Sequence, residues 1–187
     1  MSQFEFISVA QSLACSLIAV RVLNFFAMAG SADRSYSVHT AWVLFCLISV
    51  TVNWWIFWSY VDVSWTYQRF VLSVSPIGFV YMMTATMTPS ESAAVVSWRD
   101  HYYKNKNRFF AYGAAYTLTL SASMYFLLDV PLLRPRMLPL LVLAAMSGGG
   151  VASSSHRIHV LIASTWLLFV SSAIVGLIPL DLRMLSE

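Results

Sequence analysis

The sequence predicts an all-α polytopic membrane bundle of six transmembrane helices, with a short interfacial helix between the third and the fourth. Three observations predict it. Of 187 residues, 59% are hydrophobic and 10% charged, and the mean hydropathy is +0.70, whereas a soluble domain carries about 25% charged residues. The apolar residues gather into runs close to the ~20 residues that a bilayer-crossing helix needs, at 4–28, 38–60, 67–88, 108–128, 137–154 and 159–179. Between the third run and the fourth lies one charge-dense stretch, Ser97-Trp98-Arg99-Asp100-His101-Tyr102-Tyr103-Lys104-Asn105-Lys106-Asn107-Arg108, which holds four of the eleven Lys and Arg residues. The runs leave room only for short loops, so residues 1–187 read as a single transmembrane domain.

The first run begins at Phe4 with no basic segment before it and leads to no small-residue cleavage site, so it reads as a retained span rather than a signal peptide. It carries Gln11, Arg21 and Asn24 among apolar neighbours. Arg21 precedes Gly30 by nine residues, roughly 13 Å at helical rise, so its guanidinium is within snorkelling reach of the interface. The second run opens with His39 and Trp42. It closes in Asn53-Trp54-Trp55-Ile56-Phe57-Trp58, and with Trp65 and Tyr67 this has the composition of an interfacial aromatic belt. The third run contains Pro76, which should kink it, and is closed by Pro89.

Residues 90–103 then mix Ala93, Ala94, Val95, Val96 and Trp98 with polar neighbours, the pattern of an interfacial helix. The fourth run carries Tyr112, Tyr116, Thr117, Thr119, Ser121 and Ser123. In the fifth, Ala144, Gly148 and Ala152 form one row spaced by four, and Ala145, Gly149 and Ser153 another, a close-packing surface in membranes. Gly148-Gly149-Gly150 would alternatively unwind the helix, as in transporters. Packing is preferred, because the first half has no matching broken segment. The sixth run follows Ser153-Ser154-Ser155-His156-Arg157.

With six spans, one side of the membrane holds Arg34, Arg99, Lys104, Lys106, Arg108 and Arg157, and the other holds Arg69, Arg134, Arg136 and Arg183. The positive-inside rule then places the central loop, 89–107, in the cytoplasm and both termini outside. The net charge of +3 is explained by this topology, and no nucleic-acid partner is implied. Cys15 and Cys46 both lie in apolar runs, where cysteine behaves as a small hydrophobe.

Arg21 and Asn24 are three apart and share a helix face. An intramembrane charge costs about 2.5 kcal/mol or more and often marks a pathway; the alternative is a snorkelling anchor. Together with His39, Gly148, Gly149 and Gly150 they are the pathway candidates. All four histidines fall on one side. His156 and His159 share a helix face, and with His101 and Asp100 they are candidate metal ligands, imidazole suiting zinc, copper, iron or nickel; the alternative is that interfacial histidine is simply tolerated. No cofactor is firmly implied. Asn53 reads as an interhelical hydrogen-bonding residue and Trp166 as packing. There is no GxSxG, HExxH or Walker motif and no mid-span lysine for a Schiff base.

The opening Phe4-Glu5-Phe6-Ile7-Ser8-Val9, His39 with Trp42, Trp54-Trp55 with Trp58, Pro89, and Asp100-His101-Tyr102-Tyr103 with Arg108-Phe109-Phe110 together resemble a family of small bacterial polytopic membrane proteins with no assigned activity. The resemblance implies a location in the bacterial inner membrane and transfers no catalytic residue. The leading expectation is a channel or transporter for an ion or small solute. The alternatives are a non-catalytic accessory subunit, packed as a homo-oligomer or against a partner membrane protein, and a histidine-ligated metal or haem redox protein. The expected partner in every case is the lipid bilayer.

Overall fold

The computed structural model describes residues 2–28, 35–90, 95–134 and 137–174. They form six helices: α1 (Gln3–Met28), α2 (Ser37–Trp58), α3 (Tyr67–Met87), α4 (Trp98–Leu128), α5 (Leu138–Ala152) and α6 (His156–Ile174). Among these α1, α2 and α3 are long and apolar enough to cross a membrane, and α5 is a shorter apolar helix.

Polar side chains set several of the helix starts. Ser2 and Glu5 form a reciprocal capping box: the Ser2 amide donates to Glu5 Oε2 at 2.7 Å and the Glu5 amide to Ser2 Oγ at 3.1 Å. Thr66 Oγ1 accepts from the Arg69 amide at the start of α3, and Ser97 Oγ accepts from the Asp100 amide at the start of α4. Asp129, left-handed at φ 54°, ends α4, and the Val130 amide returns to the Met124 carbonyl.

That start of α4 corrects the expected interfacial helix. From Trp98 onward the charge-dense stretch is the first three turns of one uninterrupted 31-residue helix, and it therefore also replaces much of the expected central loop. Residues 91–94 lie outside the described residues, as do 175–179 of the sixth run. Sixth-run helix begins at His156, three residues earlier than expected.

The helices pack as a ring in the order α1, α3, α4, α5, α6, α2, with α2 also touching α3 across it. The centre is filled by Trp42, Phe45, Met83, Phe109, Phe110 and Trp166, each at most 1% exposed. Trp42 packs edge-on to Trp166 at 5.6 Å and to Phe109 at 4.9 Å, the favoured aromatic geometry. Gly113 lets α4 approach this centre, since a Cβ there would lie 3.4 Å from Ser147 Oγ and 3.5 Å from Met83 Cε. Outward, α1 carries Phe6, Val9, Leu13, Leu17, Val20 and Leu23 in one exposed apolar stripe.

Pro76 lies inside α3. It has no amide hydrogen to give the Leu72 carbonyl, and Ser123 Oγ of α4 lies 2.8 Å from that carbonyl instead, sharing its one proton with the Thr119 carbonyl of its own helix at 2.9 Å.

Candidate functional site

The residues singled out in the sequence meet at one end of the ring, where α1, α3 and α5 finish and α2, α4 and α6 begin. A helix finishes with carbonyls that have no intrahelical donor and carry partial negative charge. Three successive carbonyls of α3 receive donors from three other helices. His101 Nε2 lies 3.1 Å from the Thr86 oxygen, His39 Nε2 lies 2.9 Å from the Met87 oxygen, and Arg21 Nη2 lies 2.6 Å from the Thr88 oxygen. A carbonyl only accepts, so both imidazoles carry their proton on Nε2. His39 is completely buried, stacked on Trp98 at 4.8 Å and set against Phe25 at 5.3 Å. The guanidinium of Arg21 also lies 5.9 Å over the Tyr81 ring.

The end of α5 is held in the same way. Lys106 Nζ donates to the Val151 oxygen at 2.7 Å and the Gly150 oxygen at 3.3 Å, and His159 Nε2 donates to the Ser153 oxygen at 3.0 Å. Burial lowers the Lys106 pKa below the ordinary lysine value. The other nitrogen of His159 meets the Tyr102 hydroxyl at 2.8 Å, and Nδ1 of His156 meets the Tyr36 hydroxyl at 2.9 Å. Tyr36 in turn touches the Tyr103 hydroxyl at 3.3 Å.

The structure thus brings His39 and His101 together, with ring centres 5.9 Å apart, and sets His159 beside Tyr102 and Tyr103 of α4 and His156 against Tyr36. Asp100 is exposed in the first turn of α4. Among the described residues no group of three or more His, Cys, Asp and Glu is arranged to hold a metal ion. Gly148 and Gly149 face outward on α5, where an added Cβ meets nothing within 4 Å, whereas a Cβ on Gly150 would lie 2.6 Å from the Phe110 ring. The three glycines stay helical.

Three hollows follow the seam between α1 and α3. At the end just described, Arg21, Asn24, Phe25, Met28, Thr88, Pro89 and Ser90 line one of about 230 Å³. Midway, Gln11, Asn53, Tyr60, Ser73 and Pro76 with Ile56, Phe57 and Leu120 line a small cavity of about 10 Å³. At the far end, Ser2, Gln3, Phe6, Ile7, Trp65, Thr66, Tyr67 and Phe70 line an open apolar hollow of about 490 Å³. Arg21 and Asn24 share the first hollow; His39 and the glycines line none of the three.

The sequence did not single out Gln11, Tyr36, Tyr102, Lys106 or Ser123 for a role. Pro76 was the available signal for Ser123, because a proline inside a helix calls for an outside donor. Lys106 and Lys104 differ only in helical register, and Lys106 lies on the buried face.

No protein-family model, no curated protein and no solved structure matches the chain.

Proposed function

We propose that all six helices cross a bilayer, the bacterial inner membrane, and that the protein is a channel or transporter for an ion or small solute. The basic start of α4 would face the cytoplasm and both termini the other side. The exposed apolar stripe of α1 supports embedding, because water penalises such a surface. Trp55 and Trp58, each 63% exposed, support an aromatic belt at the opposite end.

One observation carries the transport reading: a hollow stands at each end of the α1–α3 seam, with a small cavity holding buried polar groups between them. The ring centre is filled by aromatic rings, so the path proposed is peripheral. Helix α1 packs mainly on α2 and α3, so separating it from α3 would join the hollows. Arg21 and Asn24 form the polar mouth of this route. The test is solute flux in reconstituted vesicles. Arg21→Ala should abolish it, and unchanged flux would count against the route.

A second reading, an accessory subunit or homo-oligomer, is favoured by the outward face of α5. Ala145, Gly148, Gly149 and Ala152 are all exposed there, and small residues allow close approach of another helix. Gly149→Leu should then dissociate the assembly in mild detergent, whereas a wild-type chain that is already monomeric would exclude it.

A further inference from the structure

We infer that the mid-seam cavity is a binding site for one uncharged, water-sized molecule that donates hydrogen bonds, water or ammonia, and that this is the class of solute the seam admits. The second half of the inference rests on the seam reading above; the first stands on the cavity itself.

Gln11 is 2% exposed, lines the cavity, and its Oε1 is buried with no hydrogen-bond partner. A buried amide oxygen left unpaired costs about 1–3 kcal/mol, so a guest with a proton to give is stabilised there. Asn53, across the cavity, spends its amide hydrogens on the Ser49 oxygen at 2.7 Å and the Tyr116 hydroxyl at 3.0 Å. Its Oδ1 is what remains to offer. The Ser73 hydroxyl donates to the Phe70 oxygen, which leaves Ser73 as a further acceptor. The site is therefore rich in acceptors.

Charge and size narrow the class. No Lys, Arg, His, Asp or Glu lines the cavity. An anion would have only the Gln11 amide and the Tyr60 hydroxyl as donors and no positive charge, and a cation would lie in the bundle without a carboxylate to neutralise it. The remaining walls are Tyr60, Pro76, Ile56, Phe57 and Leu120, and the space of about 10 Å³ holds one water-sized guest at most. Pro76 belongs to the same arrangement, since it lines the cavity itself.

Two measurements test this. In the first, the full chain in detergent is labelled by radiolytic hydroxyl radicals, each residue's rate being normalised to the denatured chain. Tyr60 and Pro76 should be labelled well above Phe45 and Trp166, which are equally buried at the ring centre, and Gln11→Leu should remove the difference. Labelling of Tyr60 and Pro76 no higher than those controls overturns the binding site, with or without a folded variant. In the second, vesicles containing the protein are compared with empty ones for permeation of water, ammonia, potassium and chloride. Water or ammonia should pass, and Gln11→Leu should slow it about tenfold, the change expected when one hydrogen bond to the passing molecule is lost. Potassium or chloride passing in place of water and ammonia overturns the solute class and leaves the seam standing. No permeation of any of the four overturns the seam and the solute class together, while the labelling still decides the binding site.

Discussion

Ser123 of α4 shares its hydroxyl proton between the Thr119 carbonyl of its own helix, at 2.9 Å, and the Leu72 carbonyl of α3, at 2.8 Å, whose intrahelical donor position is occupied by Pro76. The hydrogen bond that proline removes from one helix is therefore replaced by a side chain from another. Ser123→Ala should destabilise the protein by about 0.5–2 kcal/mol, the range for a buried acceptor left unpaired in a helical bundle. Pro76→Ala restores an amide hydrogen at that position. The double variant should consequently recover much of what Ser123→Ala loses, and thermal unfolding in detergent reads the coupling. Strictly additive losses would show that the two residues act independently.

His39 combines a hydrogen bond to the Met87 carbonyl with a stack on Trp98. His39→Phe keeps an aromatic ring and removes the donor, so it should cost about 1–2 kcal/mol. His39→Ala removes both and leaves a cavity, so it should cost more, about 2–4 kcal/mol. If the two variants unfold at the same temperature, the ring stack contributes nothing measurable.

Gly149→Ala and Gly150→Ala should differ in sign. At Gly150 the new Cβ would lie 2.6 Å from the Phe110 ring, which itself stacks on His159 at 5.7 Å, and overpacking of this kind costs about 1–3 kcal/mol. At Gly149 nothing stands within 4 Å, and alanine's helix propensity should stabilise by up to about 1 kcal/mol. Chemical unfolding of the two variants in parallel checks the contrast.

Lys106 makes stability depend on pH in the alkaline range. Its pKa in the folded chain is lowered by burial from the ordinary lysine value of about 10.4. Between the lowered and the ordinary values the unfolded chain binds more protons than the folded one, so this residue's contribution rises with pH across that window and is flat below it. Lys106→Arg stays charged throughout and should lose the rise. Unfolding temperatures from about pH 8 to about pH 10 should climb more steeply for the wild type than for the variant, and equal slopes would contradict this.

Much of the helical layout was legible in the sequence because apolar runs and helix lengths follow from the same physical demand. The first three helices begin and end within about two residues of the expected runs, within the usual uncertainty of helix boundaries. The start of α4 is not legible in the same way, because its charge density reads as a separate interfacial helix within a loop rather than as part of a long helix. Two signals pointed the other way. Ser97 and Asp100 have the spacing of a helix-capping pair. Trp98, Tyr102, Lys106, Phe109, Gly113, Tyr116 and Leu120 recur at intervals of three and four through the charged stretch, and all are buried. The grouping of the histidines at one end was visible, but their work there was not. Which carbonyls His39 and His101 meet depends on the packing of α2 and α4 against the end of α3. The mid-seam cavity was still less accessible, since Gln11, Asn53 and Ser73 lie on three helices and converge only in three dimensions.

Helix α5 has 15 residues, about 22 Å along its axis, against a hydrocarbon thickness of about 30 Å. In a bilayer, such a helix cannot reach from one headgroup layer to the other without the lipid yielding. Membrane beside α5 would be pinched, with polar headgroups leaning inward toward its end and the ammonium of Lys106. Each ångström of mismatch costs a fraction of a kcal/mol, so the protein should partition toward short-chain, thinner lipid phases, and acyl-chain length becomes a variable that tunes where it settles.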